Sequence, residues 1–176
     1  AAASPAALGQ GGAQPSVVLS PHRAVYEIST VRASGGAGVT DMVGRMVYEI
    51  TGSACAGYTQ TMRFVTRTTN HDGKVSTSDL RSTSTEDPGA AKLTFSSAQY
   101  RDGQRSEQTA GTGTRADGGV TVELTQPRRK LMKLDGATMF PIQHSIQLIE
   151  KAKAGIESYE VDLYDGSDKG EKVYAT

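Results

Sequence analysis

The sequence has few of the residues by which enzymes and nucleic-acid-binding proteins are usually recognised. Its 176 residues include one cysteine, three histidines, three phenylalanines and no tryptophan. The 19 basic and 19 acidic residues cancel, and neither sign is concentrated in a long run. A nucleic-acid-binding surface needs a concentrated basic patch, so we do not expect a nucleic-acid partner. No apolar run approaches the roughly 20 residues that span a bilayer, so we also expect no transmembrane segment.

The single cysteine and the three histidines form no catalytic or metal-binding motif. Cys55 lies in a loop of small residues, 52–57, and no histidine or acidic residue lies close enough in sequence to activate it as a nucleophile. It can be a buried small hydrophobe, a free thiol or half of a disulfide whose partner lies outside this sequence. His22, His71 and His144 have no metal ligand two to four residues later, so we predict no metal and no other cofactor.

Composition and alternation predict a β protein. Apolar residues make up 36% of the chain, which is low for strands buried on both faces, so most strands should have one face in water. Apolar and polar side chains alternate in the segments 24–28, 46–50, 58–64, 93–97 and 120–124. Asp-Gly pairs at 72–73, 102–103 and 117–118 favour type I′ turns. Together these features predict an antiparallel meander of sequentially paired strands.

Two segments depart from this alternation. Residues 75–86 are almost entirely serine, threonine and charged residues, which predicts a strand polar on both faces or a mobile edge. Gly111 and Gly113 lie in a second polar segment, and we interpret them as points where a strand bends.

The apolar period becomes helical after Pro141. The residues that share one side of this helix are Ile142, Ile146, Ile149, Ala152 and Ile156. Proline suits the first helical turn, and Gly155 suits the C-terminal cap. We expect the isoleucine stripe to cover the open mouth or one end of the sheet.

The first residues differ in composition from the rest of the chain. Residues 1–15 are small, uncharged and rich in alanine, glycine and proline, which predicts a disordered tail. Such a tail is typical of an exported protein after signal cleavage, although a linker has the same composition. We expect residues 16–176 to form one domain. The last predicted strand, 172–176, is short, so we expect the chain to continue beyond it.

The low apolar content leaves room for a groove between sheet and helix. An elongated apolar groove can hold a lipid, an acyl chain or a hydrophobic peptide. Candidates for its lining are Tyr26, Met46, Tyr48, Met62, Phe64, Ile146 and Ile149. One alternative is a docking scaffold with a filled interior. Another is a hydrolase or isomerase that uses His144 or His22, which would need a carboxylate within hydrogen-bond reach of the imidazole.

Five segments carry a resemblance to a known family. They are PHRAVY at 21–26, GRMVYE at 44–49, GSACAGY at 52–58, RFVTR at 63–67 and the helix that opens with FPIQH at 140–144. In this order, over residues 21–176, they make the chain similar to the EipB-like periplasmic cell-envelope integrity proteins of α-proteobacteria, a family of unknown function.

The resemblance implies an export signal, a periplasmic location and a mainly β fold. That fold is an antiparallel meander that forms a curved spiral or open barrel around one amphipathic helix, similar in outline to the lipoprotein carriers of the outer-membrane pathway. It also implies a disulfide between Cys55 and a cysteine in a C-terminal segment that this sequence lacks. The function implied is non-enzymatic support of the envelope, through an apolar ligand or a periplasmic partner protein.

Overall fold

Eight strands form one antiparallel sheet in chain order. The computed structural model describes residues 17–33 and 38–176. The strands are β1 (His22–Ser29), β2 (Val39–Ser53), β3 (Gly57–Asn70), β4 (Val75–Glu86), β5 (Lys92–Arg101), β6 (Gln104–Ala116), β7 (Gly119–Gln126) and β8 (Lys130–Asp135). Helix α1 (Pro141–Lys153) follows, and β9 (Asp162–Leu163) pairs with β10 (Tyr174–Ala175). Among these strands β1 and β8 do not pair with each other, so the sheet is open. The predicted mainly β meander with one helix is confirmed.

The register places every second residue of each strand on one inner face. Tyr48 of β2 lies opposite Met62 of β3, which lies opposite Ser82 of β4, and Ser82 lies opposite Ser97 of β5. Both halves of the sheet contact the start of α1. Ile142 packs with Ile50 of β2 and Tyr58 of β3, and Phe140, the residue before the helix, lies in the core formed with β5 and β7. The sheet therefore curls around the beginning of the helix.

The main core lies at the β5–β7 end of the sheet. Its large members are Leu93, Phe95, Val120, Val122, Leu124, Phe140 and Tyr164. These strands have the cleanest apolar alternation in the sequence, and burying each such side chain contributes roughly 1.5–3 kcal/mol. A smaller cluster joins Ile50, Tyr58 and Ile142 at the other end.

Gly111 and Gly113 make room for aromatic rings. A Cβ at position 111 would lie 2.8 Å from Cζ of Phe95, and one at position 113 would lie 3.1 Å from Cζ of Phe140. The rings of Phe95 and Phe140 can therefore lie this close to the backbone of β6 because positions 111 and 113 have no side chain. The pairing of β6 with β7 also shifts register between Ala110 and Gly111, so an irregularity does occur beside the first of them.

Strand β4 is largely polar on both faces but is not an edge, so the alternative of a mobile edge was wrong. It pairs along its length with β3 on one side and with β5 on the other. These pairings satisfy its backbone hydrogen bonds, so a strand whose inner face has only one large apolar residue, Leu80, is held by its neighbours. Its inner face carries serines, which keep the interior hollow there.

Two of the three Asp-Gly turns have the predicted type. Asp102 and Gly103 have φ of 50° and 80°, and Asp117 and Gly118 have φ of 51° and 76°, as a type I′ turn requires. The third prediction was wrong, because Asp72 is not in the left-handed region.

Asn70 organises that third loop instead. Its Oδ1 accepts hydrogen bonds from the backbone N–H of Asp72 at 3.1 Å and of Lys74 at 2.7 Å. The loop between β3 and β4 is therefore longer than a two-residue hairpin.

Helix α1 begins at Pro141 as predicted, and Gly155, with φ of 74°, follows its C-terminal cap. Its apolar stripe is covered only at the first turns: Ile142 is 5% exposed, whereas Ile149 is 38% and Ile156 is 43% exposed. In the described residues after the helix, the strands are the short β9 and β10. Within the described ranges no helix combines the length and hydropathy needed to cross a bilayer. The predicted tail, 1–15, lies outside those ranges.

Candidate functional site

A groove runs along the inner face of the sheet, with a volume of about 380 Å³. We call it the central groove. Its apolar wall consists of Tyr48, Met62, Leu80 and Phe95, and its polar floor consists of Gln60, Ser82, Ser84, Ser97 and Gln99. The groove exists because the inner positions of β4 and β5 carry serine where a filled barrel would carry large apolar residues.

Part of the polar floor is fixed by hydrogen bonds. Gln60 Nε2 donates to the Tyr48 hydroxyl at 2.8 Å, and Ser84 Oγ donates to Gln60 Oε1 at 3.4 Å. Burial raises the pKa of Tyr48, and the bond from Gln60 opposes that shift. Ser82 and Ser97 face each other across β4 and β5, and neither hydroxyl is bonded within the described residues. Two adjacent hydroxyls are therefore available to a ligand.

A second cavity, of about 470 Å³, lies beside the turn that contains Cys55. Tyr58, Glu86, Ile142 and Ile146 line it. The Tyr58 hydroxyl is buried and has no hydrogen-bond partner in the part of the chain that the structure describes.

Glu86 ties the sheet to the helix. It is 2% exposed, its Oε1 accepts the N–H of Ile142 at 2.5 Å, and its Oε2 accepts the N–H of Gln143 at 3.2 Å. These N–H groups belong to the first helical turn, where the helix dipole favours a negative charge. Desolvation nevertheless outweighs the two bonds and raises the pKa of Glu86 to about 7.

Arg115 fixes the segment that leads into the helix. Its guanidinium donates to the carbonyl oxygens of Gly136 and Thr138, the latter at 2.7 Å, and to Gln143 Oε1 at 3.3 Å. The group lies over the Phe140 ring, 5.2 Å from its centroid. The position of α1 against the sheet therefore depends on two charged side chains, Arg115 and Glu86.

The structure separates the predicted lining residues into three places. Tyr48 and Met62 line the central groove. Tyr26, Met46 and Phe64 lie opposite one another in an adjacent row of the same face, and Tyr26 is 49% exposed.

The two helical candidates lie elsewhere. Ile146 lines the second cavity, and Ile149 is partly exposed on the far part of the helix.

Sequence reasoning missed the polar floor and the Glu86 contact. The serines at alternate positions of the segment 75–86 were a usable signal, because alternation places them on one face. Glu86 and Ile142 are 56 residues apart, and no local pattern connects them.

The other sequence candidates have simple surroundings. His22 Nδ1 bonds the Ser20 carbonyl at 2.8 Å, and the His144 ring lies 6.2 Å from the Tyr159 ring. Neither imidazole bonds a carboxylate, and no three metal-ligating side chains cluster, within the described residues. Cys55 is an exposed, unpaired thiol in the turn between β2 and β3.

An open sheet curled about the start of a helix, with a groove inside, makes this a β-barrel-like protein. A crystal structure from Brucella abortus, described as a beta-barrel-like protein of a domain of unknown function, matches it with a TM-score of 0.84. The two chains are 35% identical, and the match covers 88% of this chain and 65% of that one.

Comparison of the sequence with known proteins shows which family of β-barrel-like proteins the chain belongs to. The profile of the EipB-like family matches residues 13–176. The chain is 36% identical over 168 residues to the cell envelope integrity protein EipB of Brucella abortus (strain 2308), a match that covers 96% of this chain and 60% of that relative. The chain therefore belongs to the EipB-like family, which confirms the resemblance, and it spans about 60% of the length of that relative.

Proposed function

We propose that this protein is a non-enzymatic periplasmic binding protein that supports the cell envelope by holding an extended polypeptide segment of an envelope partner in the central groove. The name of the relative, a cell envelope integrity protein, supports the envelope role. The observation that carries the binding proposal is the lining of the groove, in which unbonded hydroxyls lie beside large apolar side chains.

The polar floor favours a polypeptide over an acyl chain. An acyl chain would cover the hydroxyls of Ser82 and Ser97 without bonding them, and burying an unbonded hydroxyl costs about 1–3 kcal/mol. An extended peptide presents backbone N–H and C=O groups to such hydroxyls. Its alternate side chains would lie against Met62, Leu80 and Phe95.

A lipid is the second candidate ligand, because those three apolar side chains line one continuous wall. Groove volumes of about 300–1,000 Å³ are usual for small-ligand sites, so size does not separate the two ligands.

We also propose that Cys55 bridges a cysteine in a following segment of the whole protein. Membership of the family supports this pairing, and the exposure of the thiol makes it accessible. The bond would close a loop of more than 120 residues, since 121 residues follow Cys55 here. A loop of that length corresponds to about 5 kcal/mol by chain-entropy estimates.

Fluorescence anisotropy can test the ligand class. The probes are a labelled octapeptide of alternating leucine and serine, and laurate as a competitor. We expect the peptide to bind and laurate not to displace it. Ser97→Leu should fill the groove and weaken peptide binding at least tenfold, whereas Thr94→Leu, on the exposed face of the same strand, should leave it unchanged. Displacement by laurate would favour the lipid, and failure of the labelled peptide to bind would contradict the proposal.

A further inference from the structure

The charged residues that line the central groove all have the same sign. They are Glu107 on β6, and Asp165 and Asp168 in the turn after β9. Glu107 and Asp165 are half-buried, and Asp168 is exposed. No lysine or arginine is among the lining residues.

Bonded cations do not neutralise these acidic groups. The ion pairs of the described residues join other carboxylates, those of Glu27, Asp79 and Glu171, to arginine or lysine. Among the residues that the structure describes, the one hydrogen-bond donor to Asp165 Oδ1 is the N–H of Ser167, at 2.8 Å. Arg105 and Lys169 share a separate shallow depression with Glu107, outside the groove.

We propose that the central groove selects a cationic amphipathic polypeptide segment and disfavours anionic lipids. This inference rests on the proposed function and names the ligand class. Acidic side chains in a concave, partly desolvated surface attract a cationic ligand and disfavour an anionic one. The uncharged apolar wall binds the remaining side chains of the same segment.

The register sets the spacing of the ligand's charge. Leu80, Gln99 and Glu107 lie side by side on β4, β5 and β6. Strands are about 4.8 Å apart, so Glu107 lies about 10 Å from the apolar contact at Leu80. An extended peptide rises about 3.4 Å per residue, so we expect a lysine about three residues from a leucine.

Three acetylated octapeptides test the selection by anisotropy at low ionic strength. The first alternates leucine and serine, the second replaces two serines by lysine, and the third replaces them by glutamate. We expect the lysine peptide to bind on the order of tenfold more tightly than the neutral one, and the glutamate peptide more weakly. Salt at about 0.5 M should reduce these differences because it screens the charges.

The triple variant Glu107→Gln, Asp165→Asn and Asp168→Asn should bind the lysine peptide no more tightly than the neutral peptide, so the preference for lysine should disappear. Asparagine keeps the Oδ1 acceptor at position 165 and tolerates the φ of 48° at position 168.

The control has the same change in net charge at exposed sites, Asp72→Asn, Asp117→Asn and Glu160→Gln. Circular dichroism verifies the folding of both variants. If the triple variant does not fold, the single variant Glu107→Gln takes its place. Equal binding of the lysine and neutral peptides by the wild-type protein would overturn this inference but not the proposed function. Loss of the preference in the control would also overturn it. No binding of any peptide would contradict the proposed function itself.

Discussion

Replacing Glu86 by glutamine should remove most of the pH dependence of stability between pH 5 and 8. Burial raises the pKa of Glu86 from 4.5 to about 7 in the folded protein. A pKa raised by folding stabilises the protein fully below the unfolded value, and that stabilisation is lost as pH rises through the folded value. One pKa unit corresponds to about 1.4 kcal/mol, so the contribution lost by pH 8 is about 3 kcal/mol.

The physical origin is the cost of an ionised carboxylate in a dry position. The N–H groups of Ile142 and Gln143 stabilise the anion, but they do not replace its hydration. Glutamine keeps one oxygen acceptor for these donors and carries no charge at any pH. Below pH 5 the variant should be less stable than the wild type by about 1 kcal/mol, because one N–H then faces an amide nitrogen. Above pH 7 this order should be reversed.

Urea unfolding at four pH values, followed by circular dichroism, measures the effect. The difference between the two proteins isolates Glu86, because every other ionisable side chain is the same in both. Glu123→Gln, at an exposed position of β7, is the matched control and should follow the wild-type curve. Parallel curves for the wild type and Glu86→Gln would refute the reasoning. A wild-type stability that rises from pH 5 to pH 8 relative to Glu86→Gln would refute it as well.

Three further substitutions test the packing around the helix. Arg115→Met should reduce the free energy of unfolding by about 2–4 kcal/mol, because it leaves buried carbonyl groups without donors. The control Arg128→Met, which removes an exposed ion pair, should reduce it by less than about 1 kcal/mol. Urea unfolding measures both values. Tyr58→Phe should leave the thermal midpoint unchanged or raise it, since it removes an unbonded hydroxyl, and a fall of more than a few degrees would contradict this. Gly113→Ala should lower the free energy of unfolding by about 1–3 kcal/mol, because its Cβ would press on the Phe140 ring, and an unchanged value would show that the ring can move.

The sheet could be predicted from the sequence because its signals are local. Alternation and Asp-Gly pairs depend on neighbouring residues, and they indicate a meander whose strands pair with the next strand along the chain. The start of α1 was predictable for the same reason, since Pro141 precedes a helical apolar period. The type of the third turn was not predictable from its Asp-Gly pair, because the side chain of Asn70, which precedes the pair, accepts the backbone N–H groups of Asp72 and Lys74 and fixes a longer loop.

The site was only partly predictable. Tyr48 and Met62, which line the central groove, were among the candidates because large apolar residues at inward positions suggest a lining. The serine floor was not found, although its serines alternate, since Leu80 alone among large apolar residues shares their face and one such residue is a weak sign of which face is buried. The Glu86 and Arg115 contacts connect distant strands to the helix, and they depend on how the sheet curls.

The central claim is that the central groove binds a polypeptide segment, and a methyl-labelled methionine spectrum tests it directly. The chain has five methionines, of which Met62 lies in the groove and Met132 packs against the main core. Adding the lysine octapeptide should shift the Met62 methyl resonance and leave that of Met132 in place. A spectrum in which Met62 does not move, although the peptide binds, would contradict the account.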